Sequence, residues 1–245
     1  MTTEPIIKVR TLKEINVEGG VVFDGFHSIG LAGTIACGCF INSLKTELVA
    51  VLDSPIFPSL SVIYDAKPHF PARIYANEEK KLAFFVSEVI LDSYAHRHLA
   101  QTILDWVDSH KCKTIISIAG RAIKQENQTK KESTLHVISN SPSITKLLNN
   151  VGVMTLKNGT IEGIPGLLLN ETNWKNIDVV VFVVDVIAGI PDFRAAANVA
   201  QVVSKIVPEA FCEIQPLIRE AENIESNLKT IRSQTFDRSK EQIYG

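Results

Sequence analysis

The sequence predicts an α/β domain built on a mainly parallel sheet, and three observations lead there. Six segments rich in β-branched residues run apolar without alternation, which suits strands covered on both faces. Other segments repeat their apolar residues at helical spacing. The two kinds alternate along the chain, the order expected of βαβ units.

The strands are expected at Gly20–Phe23, Glu47–Leu52, Leu82–Val86, Thr114–Ile118, His136–Ser139 and Asp178–Val184. The first helix should follow the first strand directly, over Ser28–Leu44. Tyr94–Ser109 carries Leu99, Ile103, Trp106 and Val107 on one helical face. Pro142–Asn150 begins with Ser141 as N-cap and Pro142 at the first helical position. Asp192–Val207 opens on a capping aspartate and stops before Pro208. The stretch 53–71 breaks the rhythm with Pro55, Pro58, Pro68 and Pro71, so extended edge or loop structure is expected there. The polar run 124–133 reads as a solvated, mobile loop.

Composition narrows the function. A chain of 245 residues can bury a large core without staples. A hydrophobic fraction of 45% and a charged fraction of 21% are ordinary globular values, which sets aside collagen and wholesale disorder. The net charge of -2 lacks the basic balance of a nucleic-acid binder. No apolar run reaches the roughly 18 residues of a membrane span. Residues 1–6 have neither the basic region nor the apolar stretch of a signal peptide, so a cytoplasmic location is expected. Cys37, Cys39, Cys112 and Cys212 are scattered without a Cys-x-x-Cys pair. They read as reduced, mostly buried thiols, and no metal site is expected.

The residues that could carry chemistry form no complete set. Gly25, Gly30 and Gly33 punctuate the turn after the first strand, where backbone N–H groups could cradle a phosphate. The spacing is neither the Gly-x-Gly-x-x-Gly of a dinucleotide fold nor a P-loop, and a structural turn is the expected role. His27, with Asp24 three residues earlier, could activate a nucleophile, but no Gly-x-Ser-x-Gly elbow supplies one. His96 and His98 fall on different faces of their helix. Asp178 and Asp185 mark opposite ends of the last strand, and Asp185 sits where α/β enzymes place functional groups. No catalytic residue and no cofactor is expected. The rival reading is a nucleoside phosphorylase-like or hydrolase activity at the loop 25–33, using His27 or Asp185.

Beyond Pro216 the pattern changes. Leu217, Ala221, Ile224, Leu228 and Ile231 recur at intervals of four, three, four and three, a heptad-like seam. It covers little more than two heptads, so it either packs on the domain or meets copies of itself. Three parts are thus expected: a domain over 1–215, a helical segment over 216–232 and a flexible tail over 233–245.

Two stretches resemble a known family. The run Val21-Val22-Phe23-Asp24-Gly25-Phe26-His27-Ser28-Ile29-Gly30-Leu31-Ala32-Gly33 is similar to the start of proteins related to proteasome assembly chaperone 2. So is Gly163-Ile164-Pro165-Gly166-Leu167-Leu168-Leu169, followed by the strand that ends near Asp185. The resemblance spans about residues 19–207. It implies an α/β/α sandwich resembling purine nucleoside phosphorylase. It further implies assembly help or regulation for the proteasome core particle, without catalysis, by an archaeal-type protein that forms a homo-oligomer, with a tetramer expected.

Some members of that family are ATP-independent proteasome activators with a tail ending in a hydrophobic residue, tyrosine and any residue. Ile243, Tyr244 and Gly245 match that tripeptide. The resemblance therefore implies docking of these three residues on the α-subunits of the core particle. The chemistry suits that use: a terminal carboxylate can pair with a lysine, and a tyrosine ring gives large contact area at low entropic cost.

Overall fold

Strands Val21–Gly25 (β2), Thr114–Ala122 (β8) and Asp178–Val186 (β11) form the centre of the computed structural model, which describes residues 6–123 and 134–224. They are the middle of a nine-stranded sheet whose order is β1-β3-β6-β7-β2-β8-β11-β9-β10. The other members are Lys8–Thr11 (β1), Glu47–Asp53 (β3), Ala72–Asn77 (β6), Leu82–Ser87 (β7), Leu135–Ser139 (β9) and Met154–Thr155 (β10). A separate hairpin joins Val62–Tyr64 (β4) to Lys67–His69 (β5) inside the proline-rich stretch.

The six expected strands all form. The central four, β7, β2, β8 and β11, are parallel. Outside them only β9 and β10 pair parallel, and the expectation of a mainly parallel sheet holds in part. β1–β3, β3–β6, β6–β7 and β9–β11 pair antiparallel, so the sheet is mixed. For β6 and β7 the cause is a short connection: β6 turns into β7 within a few residues, and only an antiparallel partner is reachable over that distance.

Helices lie on both faces. Ala32–Ser43 (α1), Phe193–Ile206 (α5) and the inner side of Pro142–Asn150 (α3) cover one face, where Phe23, Phe40 and Phe84 pack together in a core that also holds Phe182 and Val184. Ser93–Ser109 (α2) and Gly163–Glu171 (α4) cover the other, with Phe85 edge-on to Trp106 at 5.5 Å. α4 escapes a reading by propensity because Gly163, Pro165 and Gly166 open it. Asp92 and Asp192 cap α2 and α5, each accepting a backbone N–H. Ser141 precedes α3 as expected, but its hydroxyl pairs with that of Ser143 rather than capping.

The expected first helix, 28–44, is interrupted. Ile29–Leu31 forms one 3₁₀ turn, with Gly30 at φ +74° and Leu31 at φ +56°, before α1 starts at Ala32. The expected loop 124–133 lies outside the described residues. The seam is described only in part. Residues 215–224 are helical, Leu217 packs on the face shared by α1 and α5, Ala221 is buried and Ile224 half-buried. Leu228 and Ile231 lie outside the described residues.

Two cysteines overturn the expectation of four thiols. Cys39 on α1 and Cys212, just before the C-terminal helix, form a disulfide with their Cα atoms 5.5 Å apart. They are 173 residues apart in sequence, and only the packing of residues 211–214 against α1 brings them together. The Ser43 hydroxyl also accepts the Glu213 N–H there. Cys37 and Cys112 remain free. Closing so long a loop restricts the unfolded chain, and removing such a bond typically costs about 2–5 kcal/mol. Thermal melting of Cys39→Ser, with and without dithiothreitol, checks this. Reductant should lower the wild-type midpoint to that of the variant and leave the variant unmoved.

Candidate functional site

The carboxyl ends of β2 and β8 converge on a cavity of about 770 Å³. Open α/β sheets place ligand sites at such ends, where neighbouring connections diverge to opposite faces. Here β2 leads to α1 on one face, while β7 leads to α2 on the other. The gap between is walled by the loop 26–31, by Leu91 and His96 at the start of α2, by β8 from Ile118 to Ala122, and by residues 159–165 leading into α4.

Close backbone approach fixes the loop. A Cβ on Gly120 would land on the Ile29 carbonyl oxygen, so no side chain can stand there while the loop crosses β8. Gly30 combines a positive φ with a Cβ position 2.7 Å from the Val186 side chain. Its carbonyl accepts the Asp192 N–H at 2.8 Å, joining the loop to the start of α5. Both glycines are therefore architectural, and Leu31 holds a left-handed conformation that carries strain.

At the cavity floor Asp24 is buried. Its carboxylate accepts the Ser117 hydroxyl at 2.5 Å and the Phe26 N–H at 3.2 Å. Burial pushes its pKa up from the usual range near 4 to about 6, against the lowering effect of these two hydrogen bonds. His27 is held below its ordinary pKa by burial, so the neutral imidazole dominates at pH 7. Asp24 and His27, paired in the sequence reading, do not bond to each other: Asp24 turns to Ser117, and His27 Nδ1 has no hydrogen-bond partner among the described residues. The neighbouring Ser28 Oγ is in the same state.

The Asp185 carboxylate accepts Arg121 Nε at 2.6 Å, and it is Arg121 that lines the cavity. Asp178 is at the far end of β11. His96 lines the cavity, whereas His98 points away and meets the Tyr94 ring. Cys37 lies beneath the loop, and burial raises its thiol pKa. Among the described residues no group of three or more His, Cys, Asp or Glu could hold a metal ion. No described helix is long and apolar enough to cross a membrane. Ile243, Tyr244 and Gly245 lie outside the described residues.

Sequence reasoning missed Ser117 and Arg121. Both sit on β8, and only its register against β2 and β11 shows what they meet, with Ser117 opposite Asp24 and Arg121 opposite Asp185. The Asp24 carboxyl binds its proton more tightly in the folded chain than in the unfolded one. Folding therefore takes up a proton between about pH 4 and 6, and the contribution of Asp24 to stability falls as pH rises through that window. Two pH units correspond to about 3 kcal/mol. Urea unfolding of wild type and Asp24→Asn should show their difference shifting by that order in favour of the variant from pH 4 to 7. A pH-independent difference would contradict the buried, ionisable carboxyl.

The PAC2 family model matches residues 22–232. Among solved structures, Pyrococcus furiosus PbaA, an archaeal homolog of proteasome-assembly chaperone, is 27% identical. It superposes with a TM-score of 0.82 over 96% of this chain and 95% of its own. Pyrococcus furiosus PbaB, an archaeal proteasome activator, is 20% identical with a TM-score of 0.79, over 93% of this chain and 99% of its own. A Mycobacterium tuberculosis proteasome-assembly chaperone homologue shares the fold at 14% identity and a TM-score of 0.65, over 86% of this chain and 94% of its own. None of the curated proteins compared matches the chain. A family match across most of the described strands and helices, joined to likeness over nearly the whole chain, places this protein in the PAC2 family.

Proposed function

We propose that this chain is a non-enzymatic partner of the proteasome core particle, an assembly chaperone homologue or ATP-independent activator. It docks on the α-ring through Ile243, Tyr244 and Gly245. The observation that carries the reading is the PAC2 match over residues 22–232 in a chain that also holds this tripeptide. The likeness to an archaeal homolog of proteasome-assembly chaperone points the same way.

The reading also has a physical logic. Tyr244 supplies a large ring with a hydroxyl handle, and Ile243 an apolar anchor. One tail ordered on docking binds weakly, because its lost freedom opposes the contact. A homo-oligomer, a tetramer in this reading, presents several tails at high effective concentration and so gains affinity without new contacts. The polar spacer of about ten residues before the tripeptide could reach at most about 35 Å when fully extended.

Tyr244→Ala should weaken binding by roughly 1–3 kcal/mol per engaged tail, the range of an interface hot spot. At about 1.4 kcal/mol each engaged tail loses tenfold. Surface plasmon binding to the core particle and peptide hydrolysis by it, for wild type, Tyr244→Ala and a chain lacking residues 243–245, measure this. Thermal melting should be the same for all three. Full binding by both altered chains would move docking from the tail to the folded body.

A further inference from the structure

The cavity at the ends of β2 and β8 plays no part in docking through the tail, yet it is built like a ligand site. Its volume of about 770 Å³ falls within the range of small-molecule pockets. Phe26, Leu91, Ala119, Ile164 and Val183 give it apolar walls, and all five belong to the core on the α2 and α4 face of the sheet. Asp24 breaks that wall with a carboxylate only 4% exposed. Side chains alternate across a strand, and the neighbouring Phe23 packs on the opposite face, under α1 and α5. Asp24 therefore points to the same side as Val22, toward α2 and α4, where the cavity lies.

Charge narrows the occupant. The two hydrogen bonds of Asp24, from the Ser117 hydroxyl and the Phe26 N–H, come from neutral groups. Among the described residues no cation pairs with it, and at pH 7 it is mostly ionised. A carboxylate has about four acceptor sites, so about two remain open. A buried charge without a counter-charge is costly, and in a cleft it marks a place where a ligand can supply one. Glu162, exposed on the outer wall, adds a second carboxylate, and its side chain makes no capping bond to α4. Arg121 also lines the cavity, but Asp185 already matches it. Burial keeps the His27 ring neutral. The unmatched charge on the wall is negative.

We propose that this cavity binds a small organic cation, a primary ammonium group on a compact apolar body, with the ammonium paired to Asp24. The apolar walls hold the body. The ammonium donates to the open acceptor sites of Asp24, and away from bulk water such a charge-assisted pair is stronger than at the surface. Glu162 adds attraction at the outer wall. Among the described residues no three metal-ligating groups come together, so the walls suit an organic cation and not a bare metal ion. Asp24 is fixed by its two hydrogen bonds and the loop above it is pinned at Gly30 and Gly120, so the site is largely formed before the ligand arrives.

The test is a fluorescence titration of the full chain with 2-naphthylmethylamine, which stays protonated from pH 5 to 7. The neutral 2-naphthalenemethanol and the anion 2-naphthoate serve as controls. At pH 7 the amine should show saturable one-to-one binding on the order of millimolar or tighter. The alcohol should bind at least about tenfold more weakly, since it lacks the charge-assisted hydrogen bond, and the naphthoate should not saturate. Asp24→Asn keeps an oxygen for the Phe26 N–H and removes the charge. It should weaken the amine about tenfold or more and leave the alcohol unmoved. Lowering the pH from 7 to 5 protonates Asp24, so wild type should lose about tenfold in affinity for the amine. His27, His96 and Glu162 also line the cavity, and proton uptake by any of them acts in the same direction. The pH dependence should therefore shrink in Asp24→Asn, and one that persists in full overturns Asp24 as the anchor. Thr160→Trp narrows the cavity from an exposed position, so it should block the amine without changing the melting temperature. Failure of the amine to saturate overturns the proposal, as does an alcohol that binds as tightly or an amine affinity unmoved by Thr160→Trp. None of these measurements involves the proteasome, so they stand or fall apart from docking by the tail.

Discussion

Strand β11 has no side that faces water. Val179 to Val184 are buried on both faces of the sheet, between β8 and β9, and this double burial governs the rest of the architecture. A strand apolar on both sides is stable only when each face is roofed, and helices reached by crossover connections supply the roofs. α1 and α5 close one face, α2 and α4 the other. Since those helices must leave the parallel strands at their carboxyl ends, the irregular backbone gathers at one edge of the sheet. The cavity, the left-handed turn at Gly30 and Leu31, and the buried Asp24 all lie there.

What was legible in the sequence was whatever depends on local pattern. The central strands announce themselves because burial on both faces leaves no room for polar alternation, α2 because its apolar stripe has the helical period, and α3 and α5 by the residues that cap and stop them. β8 runs four residues past its apolar core, through Gly120 and Arg121, because β11 continues beside it as a partner. Propensity stops at Ile118, while the ladder continues. β6, with Arg73 buried against Glu88, and α4, with its proline and two glycines, likewise owe their form to neighbours rather than to their own residues. The mixed direction of the sheet is not written in local pattern either: β1 and β6 were not expected as strands, and the antiparallel pairing of β9 with β11 is set by long-range topology.

The candidate site was half legible. The loop 25–33 was visible as a glycine-punctuated turn, and its architectural role follows from the crossing at Gly120 and the φ of Gly30. The pairing of Asp24 with His27 was a guess from proximity in sequence. Along a strand end, three residues of separation say little about which way side chains turn, and the buried Ser117 hydroxyl captures the carboxylate instead. Nothing local marks Ser117 as that partner, since it is one serine within an otherwise apolar strand.

The bond between Cys39 and Cys212 makes most of the chain a covalent ring. The chain from Cys39, in the middle of α1, to the end of α5 lies inside it, and the helix that starts at residue 215 follows the ring as a pendant packed on its surface. A pull on that pendant is therefore borne at the middle of α1, which is wedged beneath Phe23 and Phe84, and not by α5. Without the bond the same force would act on the last turn of α5 and could peel it from the sheet one residue at a time. With it, the load meets α1 and the sheet beneath it together.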